Sequence, residues 1–135
     1  MVLTTALLCM ALNVYHEGRG EPTAGQVAIA LTTMNRARHD SGKVCEVVMA
    51  EKQFSWTNRL VARRKDGWEI QHGAMPRDQK AWRKARVIAT LALKGMLGDF
   101  TRGATHYHAK SVSPAWSKKM PRTFAYGNHV FYRHV

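Results

Sequence analysis

The sequence predicts an α+β fold in which helices come first and a small antiparallel sheet follows. Two observations carry this. Apolar side chains recur at helical spacing in residues 2–16, 23–39 and 76–95. Beyond residue 104 the pattern changes to short β-favouring segments separated by turn formers, an order that fits α+β better than a parallel α/β sheet. The 135 residues suit one domain over residues 1–135, long enough to bury a core without a metal or disulfide staple.

The first helix is expected over residues 2–16, with Leu3, Leu7, Leu8, Ala11, Leu12 and Tyr15 on a broad apolar face. Gly18 and Gly20 interrupt it, and residues 18–23 read as a loop. Thr23 is the expected N-cap of a second helix with Val27, Leu31 and Met34 as its stripe. A short helical turn is expected over residues 44–49, then a loop over 53–58 whose Phe54 and Trp56 read as core. Residues 59–75 are basic and show no usable pattern. Residues 76–95 form the most regular helix, with Trp82, Ala85, Ala89, Ala92, Leu93 and Met96 at 3–4 spacing. Residues 105–108 and 131–132 favour strands, with turns at Ser113-Pro114, Pro121 and Gly127-Asn128.

Apolar residues make up 45% of the chain, which argues against global disorder. Twenty-one Lys and Arg against nine Asp and Glu give a net charge of +12, so the chain is drawn to polyanions. Cys9 and Cys45 form no CxxC and lie in apolar runs; buried free thiols are the expected state, with a disulfide left open. No run of about 18 apolar residues exists, so no transmembrane span is expected. Residues 1–12 lack a basic leader and a cleavage motif, and read as core helix and not as an export signal.

Chemistry concentrates in residues 11–36. Glu17 sits where an apolar helix meets a glycine-rich loop. Partial burial there disfavours the anion, and a raised pKa suits a general acid. On spacing alone an exposed helix-end carboxylate is the commoner case.

Ordered blocks alter that balance. They are residues 12–22 (LNVYHEGRGEP), 25–30 (GQVAIA), 34–36 (MNR), 44–48 (VCEVV), 53–55 (QFS), 103–108 (GATHYH), 114–116 (PAW) and 127–132 (GNHVFY). Together they resemble the cell wall hydrolase family typified by the spore-cortex-lytic enzymes of the SleB type. The resemblance implies a lysozyme-like helical part with a small antiparallel sheet. It also implies cleavage between N-acetylmuramic acid and N-acetylglucosamine, with Glu17 as the catalytic glutamate. It makes Thr105, His106, Tyr107, Trp116, Asn128, His129 and Tyr132 candidates for lining the sugar cleft. Spore enzymes of the family are lytic transglycosylases, which close a 1,6-anhydro ring instead of adding water. A hydrolytic muramidase using the same Glu17 is the alternative.

Two-carboxylate glycosidases need a second acid, and the other acids fall in no comparable block except Glu21. Glu21 is expected to cap the next helix, with substrate contact as its other role. Asn35 and Arg36 are expected to tie a helix end to the sheet. No cofactor and no metal are expected, and a monomer is. The partners expected are peptidoglycan and, through the basic surface, anionic envelope polymers. With neither leader nor wall-binding repeat, the chain looks like a bacteriophage endolysin. Such an enzyme waits in the host cytoplasm until a holin opens the membrane.

Two rivals come from other classes. His106-x-His108 places two imidazoles on one strand face, and His129, His72 or Glu17 could complete a zinc site for an amidase or endopeptidase. A nucleic-acid binder would use the cluster Arg59, Arg63, Arg64 and Lys65, but no nucleic-acid motif is present.

Overall fold

The computed structural model describes residues 2–3, 5–50, 56–57, 61–65 and 67–134. Helix α1 (Ala6–Gly18) is the axis of the molecule. Thr5 caps it, its hydroxyl accepting from the Leu8 amide at 3.3 Å. Cys9, Met10, Ala11, Leu12 and Val14 are fully buried. A helix apolar on all sides must be wrapped, and α2 (Thr23–Arg36), α3 (Val44–Met49) and α4 (Gln79–Leu93) pack around it.

In α2 the buried hydroxyls of Thr32 and Thr33 donate back to the carbonyls of Ala28 and Ile29, so neither is left unpaired. Its N-cap is Pro22, without a side-chain hydrogen bond, one residue before the expected Thr23. In α4 the Asp78 carboxylate accepts from the Ala81 amide at 3.1 Å. Gly95, at φ 68°, then closes the helix as the Met96 amide donates back to Leu91. The helix is thus shorter at both ends than the apolar spacing suggests, and Met96 is 67% exposed and not part of its buried stripe.

The first helix also starts later than expected. Residues 2–3 form strand β1 (Val2–Leu3), paired antiparallel with β3 (Gly67–Ile70), which pairs with β2 (Val61–Arg64). The basic region without a pattern therefore contains a hairpin. Phe54 and the block 53–55 lie outside the described residues, whereas Trp56 is 6% exposed and belongs to the core as expected.

The second sheet is the one expected from the tail. It comprises β4 (His106–Ala109), β5 (Arg122–Tyr126) and β6 (His129–Tyr132), in the order β4-β6-β5, all antiparallel. Gly127 and Asn128 form the two-residue turn of its hairpin, with Gly127 at φ 55°. Phe131 on β6 is fully buried and joins this sheet to the helical core.

Cys9 and Cys45 are joined in a disulfide that ties α1 to α3, correcting the expected free thiols. The reason is tertiary. The two helices pack so that the Cα atoms stand 5.3 Å apart, within bridging range. The α2–sheet link is as expected. The Asn35 amide donates to the Ala104 carbonyl at 2.9 Å and to Asp99 at 3.0 Å, and Arg36 reaches the Thr105 carbonyl at 3.3 Å.

Candidate active site around Glu17

Glu17 lies in the last turn of α1, and the helix runs one residue further than the glycine suggests, through Gly18. Position 18 packs closely on α2: a Cβ there would stand 3.1 Å from the side chains of both Gln26 and Ile29. This close crossing holds Glu17 against the β4–β6 sheet. The Tyr107 hydroxyl of β4 donates to Glu17 Oε1 at 3.3 Å. Burial raises the Glu17 pKa, and the Tyr107 hydrogen bond opposes that rise without cancelling it. The position adds to the effect, since the C-terminal pole of a helix disfavours an anion. Tyr107 stays a phenol, its own pKa raised well above the usual value by burial and by the neighbouring Glu17.

Asn13, four residues before Glu17, shares its helix face and is fully buried. Its Oδ1 accepts from the Trp56 indole at 3.0 Å, and its side chain supports the Tyr107 phenol. Sequence reasoning missed Asn13. The signal was there, as a lone amide within an apolar run one helical turn before the glutamate.

Glu21 does not cap α2. Its carboxylate, 8% exposed, pairs with His129 Nδ1 at 2.8 Å and accepts from the Asn128 amide at 3.2 Å. The His129 ring meets Tyr107 edge-on at 5.3 Å. Glu21, His129, Tyr107 and Glu17 therefore form one continuous chain of contacts. Glu21 supports the site from behind, and its oxygens are occupied by protein groups. Asn128 also serves the hairpin turn, its carbonyl accepting from the Lys110 amide at 2.7 Å.

The sheet divides the remaining candidates. Tyr107 and His129 share the inner face with Phe124 and Phe131, linked ring to ring. His106, His108 and Tyr132 occupy the outer face, where Trp116 packs on all three at centroid distances of 5.3–5.8 Å. Side chains alternate along a strand, so the run His106-Tyr107-His108 cannot line one cleft. Thr105 is committed to the backbone, its hydroxyl accepting from the His134 amide at 2.9 Å and lying 2.9 Å from His106 Nδ1. Of the expected cleft residues, Tyr107 hydrogen-bonds to Glu17, and His129 stands behind Tyr107.

The outer face also bears on the zinc reading. His108 Nδ1 faces the Ala109 carbonyl at 2.8 Å and must donate to it, while Nε2 lies 2.9 Å from the Tyr132 hydroxyl. The His106 pKa is lowered to about 4 by burial and by the neighbouring Arg36 and His134, so its ring is neutral at physiological pH. His129, which that reading would recruit, is on the other face and bound to Glu21. Among the described residues no cluster of three His, Cys, Asp or Glu could hold a metal ion.

A half-buried carboxyl whose pKa is raised by burial, at the junction of a buried helix and a small antiparallel sheet, suits an enzyme of lysozyme-like α+β build. The sequence model of the family described as Cell Wall Hydrolase matches residues 20–132. The chain belongs to that family and is a peptidoglycan-degrading enzyme. The match begins three residues after Glu17, so the place of Glu17 rests on geometry and not on that match. Two solved structures share the fold. One is the catalytic domain of the germination-specific lytic transglycosylase SleB from Bacillus anthracis. It is 25% identical, with a TM-score of 0.68, over 95% of this chain and 93% of that one. The other is the catalytic domain of the Bacillus cereus SleB protein, 24% identical, with a TM-score of 0.67, over 98% and 93%. No curated protein matches the chain in sequence.

Proposed function

We propose that the enzyme cleaves the bond between N-acetylmuramic acid and N-acetylglucosamine as a lytic transglycosylase, with Glu17 as acid and then base. The observation that carries this is the Glu17 carboxyl itself, its pKa raised by burial and its Oε1 accepting from the Tyr107 phenol. Glu17 gives its proton to the bridging oxygen, and the bond from that oxygen to the muramoyl C1 breaks. The carboxylate left behind takes the proton of the muramoyl 6-hydroxyl as O6 bonds to C1, forming the 1,6-anhydro ring. Glu17 ends protonated, and no water is consumed.

Two points favour cyclisation over hydrolysis. Glu21, the neighbouring carboxylate, is taken up by His129 and Asn128 and is not free to activate water. An intramolecular hydroxyl held in position also competes strongly with solvent. The SleB relative from Bacillus anthracis is itself a lytic transglycosylase. The same proposal takes the enzyme as an endolysin that acts on the wall after release from the host cytoplasm. Its charge of +12 suits retention on an anionic envelope.

The test is digestion of purified peptidoglycan, analysed unreduced by mass spectrometry. Anhydro-muropeptides, lighter by one water than their reducing counterparts, are expected. Products with reducible muramic acid ends and no anhydro species would make the enzyme a muramidase. Glu17→Gln keeps the shape and removes the proton, so lysis should fall at least about a hundredfold. Near-normal lysis by the folded variant would remove Glu17 from the mechanism.

A further inference from the structure

Helix α4 buries Ala85, Ile88, Ala89 and Ala92 against the core. Its opposite side is not simply polar. Val87 is 59% exposed, and beside it a groove of about 570 Å³ opens between α4 and α1. Apolar Leu7, Val87 and Leu91 line it together with Thr90 and the cations Arg83, Lys84 and Arg86. The apolar strip continues past the helix end. Met96 there is 67% exposed, and its backbone amide closes α4 by donating to the Leu91 carbonyl. The helix itself contains no acidic residue, and Asp78 at its cap is engaged by the Ala81 amide.

We propose that this face of α4 docks on an anionic phospholipid surface, holding the enzyme at the membrane that underlies the wall. Neither half of the face explains the other. A polyanion such as nucleic acid satisfies the cations and leaves Val87, Leu91 and Met96 unused. A glycan strand offers no acyl layer. A bilayer rich in anionic headgroups meets both, because phosphates pair with Arg83, Lys84 and Arg86 while the apolar strip enters the headgroup–acyl boundary. The long stems of the basic residues can lie along the apolar groove with their charges at phosphate level.

Co-sedimentation of the full chain with phosphatidylcholine vesicles, with and without an equal share of phosphatidylglycerol, tests this. Binding to the anionic vesicles alone is expected. Val87→Gln, which leaves the charge unchanged, should weaken it about fivefold through lost apolar insertion. The double variant Arg83→Gln, Lys84→Gln should weaken it roughly tenfold or more. Val112→Gln is the control, since Val112 is 53% exposed but lies on the loop after β4. It should bind like wild type, and all three variants should digest isolated peptidoglycan normally. No binding to anionic vesicles would overturn the proposal. So would equal binding by the Val87 and Val112 variants, or binding that duplex DNA displaces regardless of Val87; both would mark a general polyanion surface. Peptidoglycan digestion is scored separately, so failure here leaves the catalytic proposal standing.

Discussion

At the scale of single residues, the balance on Glu17 is set by two opposing neighbours. Burial favours the carboxylic acid, and the Tyr107 hydroxyl favours the carboxylate. Tyr107→Phe deletes the second and keeps the first, so the Glu17 pKa should rise further. A general acid is lost as pH climbs through its pKa, so the alkaline limb of the pH–rate profile should move to higher pH in the variant. Digestion rates measured across a pH series check this, and a limb that stays put or moves down would show that Tyr107 does not stabilise the anion. Glu17 and Tyr107 were both legible in the sequence, as a carboxylate ending an apolar run and as the centre of a recognisable block. Their pairing was not, nor was the separation of Tyr107 from His106 and His108. Both follow from the strand alternating faces at a register that only the partner strand β6 supplies.

At the scale of elements, the α1–α2 turn and the β5–β6 turn are locked together at one point. A Cβ on Gly127 would stand 2.5 Å from Glu21 Oε2, and its backbone holds φ at 55°. Gly127→Ala therefore meets a strained backbone and a collision with the carboxylate that holds His129. A loss of about 1–3 kcal/mol is expected, together with slower digestion, because His129 backs Tyr107. Thermal melts and digestion rates on the same preparation check it; a variant unchanged in both would mean that the two turns are not coupled. The helices were readable because their apolar spacing is long and regular. The β2–β3 hairpin was not. Its strands are four residues each, too short for a clear alternation, and β3 gains part of its pairing from β1, more than 60 positions away in sequence. Val2–Leu3 reads as part of the helix because little in the local sequence separates it from the apolar run that follows. Thr5, the N-cap, was the available sign.

At the scale of the whole molecule, helix α1 is the part the other helices pack around, and it carries Glu17 at one end and Cys9 near the other. The Cys9–Cys45 bond closes a loop across a sequence separation of 36 and so restricts the unfolded chain, by about 4 kcal/mol in the chain-entropy picture. Thermal melts with and without a thiol reductant should differ accordingly, and the Cys9→Ala, Cys45→Ala double variant should ignore the reductant. Identical melts for the wild type in both conditions would mean that the bond contributes nothing. Compartments differ in the same variable. Glutathione keeps thiols apart in the cytosol, whereas the cell surface lets them join. A molecule made on the inner side and working on the outer side would be soft during storage and hardened at its workplace, its durability conferred by the place it reaches.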